Sequence, residues 1–472
     1  MAEAALEFTK KEETVSFISE NAIKVLNLCH IPEDGRLKTL SFTATKSEKV
    51  YEILDLGERV DGSSLFSFLE PGASDIYILP RLDRAFVNPF SQSPTLNVLC
   101  DYLDSDGKPL QAAPQNVLAR AEKRLRLSNG VILKALAELE FYVICEAAHE
   151  PVFPAPPDKN YHESSPFAKF EDLRNEIMLT LSSIGIATKY GHSEVGRTSR
   201  NGEVIEQQEI ELSAQSLVKL AESVAIAKWT IRNVSVKRNV SVSFSPKIAV
   251  EHAGNGMHIH MCALKKSKNI VADPDGTLSS NARKMIGGIL KFAPSLSAFA
   301  NPTPVSYLRF IARKESPMHI CWSSRNRLAL IRIPLWRNPR KAGRQLDQCG
   351  ETFEYRAPDA FANPYLLLAG LATAIDYGLS NSEEALGIAE DLHVEDRGRR
   401  RQLKTLPLSC SESADNLEID RQLYEADQVF PKKLTDKTIE LLRSHKDRNL
   451  WQKLTNKPDE AEKLLRQYRH FG

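Results

Sequence analysis

Carboxylates alternating with apolar residues are the chemistry-bearing feature of this chain. The stretch Ala135-Leu136-Ala137-Glu138-Leu139-Glu140-Phe141-Tyr142-Val143 predicts a buried strand with Glu138 and Glu140 on one face. Two carboxylates on one apolar face repel and lose hydration unless a cation sits between them. Paired arginines would supply that charge, and so would a divalent metal. Gly191-His192-Ser193-Glu194 and Glu206-Gln207-Gln208-Glu209-Ile210-Glu211 place more carboxylates on strand-like segments, with Glu209 and Glu211 again alternating. The run from Glu251 to Met261 reads as a glycine-loosened turn followed by a strand. Gly254 and Gly256 permit positive φ and a close backbone approach to a ligand. His258 and His260 share one strand face. Imidazoles there would bind a divalent metal or a phosphate oxygen, or form an ordinary solvated or hydrogen-bonded pair.

A block of cations follows: Arg309, Arg325, Arg327, Arg332 and Arg356, interspersed with Tyr307, Glu315 and Asn326. Arg332 lies within Ala329-Leu330-Ile331-Arg332-Ile333-Pro334, an otherwise apolar strand, so its guanidinium needs an anionic partner. Structural ion pairs are one answer. Bidentate recognition of a phosphate or carboxylate is the other. Phe353-Glu354-Tyr355-Arg356 puts Glu354 and Arg356 on one face. Asp61-Gly62-Ser63-Ser64 reads as a surface turn.

These groups need a scaffold. Residues 1–110 read as a small β-rich domain. Apolar residues run at helical spacing over residues 12–28 before turning strand-like, a hairpin follows around Gly35, and short strands start at Asp75 and Thr95. Residues 104–114, rich in Asp, Gly and Pro, form a linker. Residues 111–385 carry the carboxylate and imidazole strands, with helices over residues 117–126, 170–183, 214–232 and 281–299. Asn363-Pro364 is a cap-then-proline helix start. Residues 386–472 are charged and helical by pattern, and the Arg397–Arg401 run reads as a solvated face.

The 472 residues suffice for two or more domains. At 42% apolar the chain can bury a core, and a net charge of +1 gives no global attraction to nucleic acid or membrane. The seven cysteines are odd in number, scattered and without a CxxC, which predicts reduced thiols. The N-terminus lacks an apolar signal core, and no run of about 18 apolar residues occurs. A soluble, cytoplasmic protein is expected.

Read in order, the chain resembles class I glutamine synthetase over roughly residues 22–380. The resemblance rests on Asp61-Gly62-Ser63-Ser64, Pro94-Thr95-Leu96-Asn97, Glu138-Leu139-Glu140-Phe141, Gln208-Glu209-Ile210 and Gly256-Met257-His258-Ile259-His260. Ile286-Gly287-Gly288-Ile289-Leu290-Lys291, Ser323-Ser324-Arg325-Asn326-Arg327, Ile331-Arg332-Ile333-Pro334 and Ala362-Asn363-Pro364-Tyr365 complete it. It implies an α+β fold, with an N-terminal β-grasp domain and a catalytic domain of curved antiparallel sheet and flanking helices. It implies homo-oligomeric rings, often two stacked hexamers, with each site shared between neighbours. The same scaffold also serves γ-glutamyl-amine ligases, so glutamate with ammonia and glutamate with an organic amine both stand as reactions. A non-catalytic structural member is the third reading.

Carried over residue by residue, the resemblance implies that Glu140, Glu194 and Glu209 hold the metal nearer the glutamate. Glu138, His258 and Glu354 would hold the metal under the ATP phosphates. Oxygen-rich sites with one imidazole suit Mg²⁺ or Mn²⁺, two or three per site. Arg309 and Arg356 match residues that grip the substrate carboxylate, with Gly254 and Glu140 beside it. Arg327 and Arg332 match those that neutralise phosphate, and His260 lies near the nucleotide. Glu315 matches a flap carboxylate that takes a proton from the amine, and Asp61 matches the aspartate that binds ammonium across the subunit interface. Four departures stand out. Ala253 replaces an asparagine, Val152 falls where a tyrosine is expected, and Cys262 replaces a serine. Cys349 and Thr352 fall where basic nucleotide contacts are expected. An apolar Val152 would suit an alkyl amine better than ammonium. Tyr424 lacks the prolines that accompany a regulatory tyrosine in some members, so no such control is expected.

Overall fold

The strands Val25–His30 and Thr95–Leu103 are almost wholly buried, and they pair in parallel at the centre of a five-stranded sheet. Lys38–Thr43 flanks one side, and Asp75–Val87 then Glu58–Asp61 the other, all antiparallel. The structure is a computed structural model that describes residues 6–146, 153–200, 202–311, 316–336, 349–395, 403–455 and 457–472. The helix expected over residues 12–28 is Lys11–Glu20 and stops there. Asn21 caps it, Ala22 takes φ 50°, and Val25 and Leu26 enter the sheet, whose burial outweighs their helical spacing. Gly35, at φ 69°, makes the tight turn before the second strand.

A second sheet of ten strands carries the chemistry-bearing residues. Its main path runs Trp322–Ser324, Ile331–Ile333, Phe353–Tyr355, Met257–Lys265, Val131–Glu146, Glu203–Leu212 and Thr188–Arg200. The pairing is antiparallel along this path, as expected of the catalytic sheet, with one parallel pair between the first two strands.

Helices Leu217–Lys237, Ser280–Ala300 and Pro364–Ser380 form the apolar layer behind it. The Asn363 side chain accepts from Tyr365 N–H at 3.0 Å and Leu366 N–H at 3.3 Å, and Pro364 opens the helix, as the sequence predicts. Ser280–Ala300 and Pro364–Ser380 touch backbone to backbone. A methyl on Gly288 would lie 2.9 Å from Gly378 Cα, so a side chain there would separate the helices. Residues beyond 380 add further helices, including Ser382–Asp391, Cys410–Glu425 and Lys432–Ser444. The Arg397–Arg401 run lies outside the described residues. No helix among the described residues is long and apolar enough to cross a membrane.

Cys262 and Cys349 form a disulfide, with Cα atoms 5.5 Å apart, against the expectation of seven reduced thiols. The register explains the encounter: His260 pairs with Glu354, so Cys262 lies beside the segment leading into Phe353–Tyr355. The other five cysteines are buried thiols.

A buried ion triad fastens the two sheets' domains. Glu222, fully buried in Leu217–Lys237, accepts from Arg81 Nη1 and Arg84 Nε, each at 2.6 Å. Replacing it leaves guanidinium groups without an anion in a dry contact. Glu222→Ala should therefore cost about 3–5 kcal/mol of stability, read by chemical denaturation. A loss below 1 kcal/mol would show the triad to be solvated.

Candidate active site

Strand register alone assembles the site. Arg332 pairs with Glu354, and Glu354 with His260. One rung along, His258 pairs with Glu138, and Glu138 with Glu211. One rung further, Glu140 pairs with Glu209, and Glu209 with His192. Directly opposed residues in antiparallel strands sit about 4.5–5.5 Å apart. Three rungs across neighbouring strands thus gather side chains from positions 138 to 354.

Glu194 joins them through an irregularity. The register between Thr188–Arg200 and Glu203–Leu212 shifts between Ser193 and Arg197. In that bulge Gly196 N–H donates to Gln207 Oε1 at 2.9 Å, and a side chain at Gly196 would strike the Tyr142 hydroxyl. Such bulges re-aim side chains. Here Glu194 lies buried on the cavity wall beside Glu209.

Two ligand-capable groups result. Glu138, His258 and Glu354 offer donor atoms all within 4.8 Å of one another, and so do His192, Glu194 and Glu209. In the first, His258 Nδ1 donates to Glu138 at 2.9 Å and His260 Nε2 to its other oxygen at 3.0 Å. His258 Nδ1 lies 3.6 Å from Glu354. Arg332 donates to Glu354 at 2.8 Å, and Arg356 pairs with its other oxygen. Burial would raise the Glu354 carboxyl, but Arg356 and then His260 outweigh it and hold it down at about 2. Burial acts on Glu138 in the same direction and is overcome by His260 and His258, leaving its carboxyl well below the usual range. Burial lowers His260, yet Glu138 and Glu354 together raise it.

The second group has the opposite electrostatics. Burial first, and then Glu138, Glu140, Glu194 and Glu211, push the Glu209 carboxyl well above the usual range. His192, with burial lowering its pKa, brings no positive charge. Four carboxylates crowding a fifth in a dry site is the donor chemistry a divalent cation relieves. The residues present therefore fit divalent ions at both groups.

The other expected residues fall as follows. Glu140 lines the same cavity as Glu194 and Glu209; its Oε2 accepts from Gly256 N–H at 2.7 Å and Gln207 Nε2 at 3.0 Å, and His192 lies with Glu194 and Glu209. Neither Gly254 nor Gly256 adopts a positive φ. What they provide is room: a methyl on Gly256 would lie 2.6 Å from His258 Nε2 and 2.7 Å from Arg309 Nη2. Ala253 gives its carbonyl to the Tyr142 hydroxyl at 2.6 Å. Arg309 is buried, and its guanidinium clasps the carbonyls of Arg356, Ala357 and Pro358 at 2.8–3.1 Å. Arg327 is exposed at the rim and reaches the Tyr161 hydroxyl. His260 Nδ1 meets Thr352 Oγ1 at 3.3 Å.

Asp61 caps the turn at Gly62–Ser64, accepting from Ser63 N–H at 3.0 Å and from the Ser63 and Ser64 hydroxyls at 2.7 Å each. Those hydroxyls, Ser64 first, lower its carboxyl. It does not line the cavity of its own chain. Glu315 and Val152 lie outside the described residues.

The sequence reading did not assign His192, Tyr161, Tyr190 or Gln207, all of which line the cavity. His192 carried a usable signal, since it stands two residues before Glu194 on the same strand. Tyr161 sits in a loop and carried none.

Residues 111–462 match the family model of the glutamine synthetase catalytic domain, and residues 22–105 that of the glutamine synthetase beta-grasp domain. A Thermotoga maritima glutamine synthetase is 32% identical over 432 residues, 89% of this chain and 93% of the relative. A Cupriavidus pinatubonensis 3-hydroxylaminophenol mutase is 30% identical over 463 residues, 91% of this chain and 94% of the relative. In fold, a solved Plasmodium falciparum glutamine synthetase aligns with a TM-score of 0.79 at 19% identity, covering 97% of this chain and 99% of that one.

The raised Glu209 carboxyl has a measurable consequence. It must lose its proton before it can ligate, so a divalent ion competes with that proton. Mn²⁺ affinity should rise with pH above the usual carboxylate range by up to about tenfold per unit. Calorimetry in buffers of different ionisation enthalpy should detect proton release, and Glu209→Gln should reduce it. In the metal-free protein the same shift works the other way. Glu209's stabilising contribution is full below the unfolded value of ~4.3 and is lost as pH rises through the raised folded value. Affinity independent of pH would contradict this account.

Proposed function

The chain belongs to the glutamine synthetase family, and from that premise we propose that it is an ATP-dependent ligase joining ammonia to the side-chain carboxylate of glutamate, with glutamine as product. The observation that carries this reading is the pair of Glu/Glu/His groups in one buried site, with Arg309, Arg327 and Arg356 on the same cavity wall.

The chemistry follows from what a free carboxylate cannot do. Its carbon resists an amine, so it must first be activated. A glutamate side-chain oxygen attacks the γ-phosphorus of ATP, the bond to the β-phosphate oxygen breaks, and ADP leaves. The amine nitrogen then attacks the acyl carbon, phosphate departs, and one proton is taken from nitrogen. Glu138, His258 and Glu354 would hold a divalent ion at the nucleotide end, and Glu140, Glu194 and Glu209 one nearer the glutamate. Bound Mg²⁺ or Mn²⁺ would offset the negative charge gathering on the transferred phosphoryl group. Glu140, held by Gly256 N–H and Gln207, presents a fixed negative edge to the substrate side. Arg332 and Arg356 neutralise Glu354 here. Once that carboxylate is otherwise neutralised, Arg332 turns to phosphate and Arg356 to the substrate carboxylate. Arg327, at the rim, joins Arg332 on phosphate. Arg309, packed against Gly256, shapes the floor where glutamate lies.

We assign the proton from the amine to Glu315. Ammonium capture falls to Asp61 of an adjacent subunit in a ring, proposed as stacked hexamers. In support, Asp61 is exposed on the N-terminal sheet and does not line its own chain's cavity. ATP and glutamate are both cytoplasmic metabolites, and the cytoplasm is the compartment we infer.

An organic amine as acceptor is the second reading. The rings of Tyr161 and Tyr190 line the cavity beside Val195, a wall that suits a carbon-bearing amine.

Phosphate release from ATP, with the amide product identified by mass spectrometry, separates the two. Glutamate plus millimolar ammonium should give phosphate and glutamine in equal amounts. Arg332→Ala should lower kcat by about 10²–10³-fold while the protein stays folded. Turnover with primary amines but not ammonium would install the second reading. No turnover with any acceptor in metal-loaded protein would remove both.

A further inference from the structure

We propose that Cys262 and Cys349 are a reversible modification site, a disulfide opened and closed by exchange with a low-molecular-weight thiol, whose state sets how firmly the nucleotide end of the site is held. The inference rests on the ligase reading above only for the ligand at that end; the exchange itself belongs to the pair.

Position carries the argument. His258, His260 and Cys262 alternate along Met257–Lys265 and share one face of it. Cys262 thus stands one side-chain repeat, about 7 Å, beyond His260. Its face is the one on which His258 meets Glu138 and His260 meets Glu354. Met257–Lys265 pairs with Phe353–Tyr355 over only three rungs, the last joining Met261 to Phe353. Where that ladder stops, the disulfide takes over and joins Cys262 to the chain entering the strand. The residues between bear directly on the site. Thr352 Oγ1 meets His260 Nδ1 at 3.3 Å, and His260 Nε2 meets Glu138 at 3.0 Å. The Thr352 carbonyl accepts from Trp336 Nε1 at 2.7 Å, and the Glu351 carbonyl from Asn269 Nδ2 at 2.9 Å. Opening the bond leaves residues 349–352 on these few hydrogen bonds and loosens the Thr352–His260 contact with them.

The chemistry singles out this pair. In the cytoplasm, the compartment inferred above, disulfides are rare, and those that form serve redox sensing or catalysis. Cys262 is fully buried, whereas Cys349 keeps 9% of its surface and adjoins exposed Gly350, so an incoming thiolate meets Cys349 Sγ first. A bond forms between those two sulfurs, the Cys262–Cys349 bond breaks, and Cys262 leaves as a thiolate and takes a proton. A second thiolate attacks the small molecule's sulfur in the mixed disulfide and releases Cys349 as a thiol. Two small thiols are oxidised to one disulfide while the protein's disulfide is reduced to two thiols, and oxidised glutathione drives the reverse. Burial pushes the Cys29, Cys100 and Cys410 thiols up, which keeps them protonated and out of the exchange.

Full-length protein equilibrated across mixtures of reduced and oxidised glutathione, then alkylated in denaturant, tests this. Seven thiols should be counted at the reducing end and five at the oxidising end, and the change should reverse in the native protein. On reduction, hydrogen exchange over residues 349–355 should speed up, and the affinity for ADP with Mg²⁺, read by calorimetry, should fall about fivefold or more. Cys262→Ser and Cys349→Ser, each checked for folding by circular dichroism, should keep the reduced behaviour in every mixture. Cys145→Ser should retain the full response. Seven thiols under all conditions, a bond that opens only in denaturant, or equal exchange in the two states would overturn the proposal, and so would equal ADP affinity. No ADP binding in either state would sink the proposed reaction, and exchange over residues 349–355 would then decide the switch on its own.

Discussion

Repulsion among buried carboxylates is the constraint around which this molecule is built. Glu138, Glu140, Glu194, Glu209 and Glu211 come together because three antiparallel strands place them there. Ionised carboxylates out of water are costly unless a cation or hydrogen-bond donors meet them. Three of the five are met by donors close at hand. Glu138 takes two imidazoles, Glu140 a backbone N–H and an amide, and Glu211 the ammonium of Lys189 at 2.8 Å. Glu194 and Glu209 stand with His192, their donor atoms within 4.8 Å of one another. Burial and the neighbouring carboxylates together push the Glu209 carboxyl well above its usual range.

Crowding of that kind needs a rigid frame, because a softer one would relieve it by moving the strands apart. The frame here is apolar. Helices Ser280–Ala300 and Pro364–Ser380 meet at Gly288 and Gly378 with no room for a methyl, and they pack behind the sheet. Arg309 ties the loop at residues 356–358 to the turn at Gly256, beneath both ligand-capable groups. The stability invested in this packing holds an arrangement that is itself unfavourable until substrates and ions arrive.

Period-two alternation made much of this legible in the sequence. Glu138 with Glu140, His258 with His260, and Glu354 with Arg356 are pairs that any extended chain puts on one face, and the structure keeps them so. The Asn363-Pro364 helix start was legible for an equally local reason. What escaped were facts of register and tertiary approach. The bulge between Ser193 and Arg197 decides which carboxylate stands beside Glu209, and no local pattern announces it. Gly254 and Gly256 suggested unusual dihedrals, whereas their use is to let His258 and Arg309 come close. Cys262 meets Cys349, 87 residues away, only because the strand Met257–Lys265 pairs with Phe353–Tyr355 just beyond it. Asp61 kept its local role as a turn cap, and nothing within a single chain brings it to the site.

The arginines show why a site like this is best read as one member of an exchange. Arg332 and Arg356 both grip Glu354, and Arg309 clasps backbone carbonyls. Each contact is one that a more strongly charged ligand would displace, because guanidinium prefers phosphate or carboxylate in a bidentate grip over a shared carboxylate or a carbonyl. The same holds for the imidazole protons on Glu138, which a divalent ion would replace. Protein cations therefore hold the carboxylates of Glu138 and Glu354 below their usual range in spite of burial.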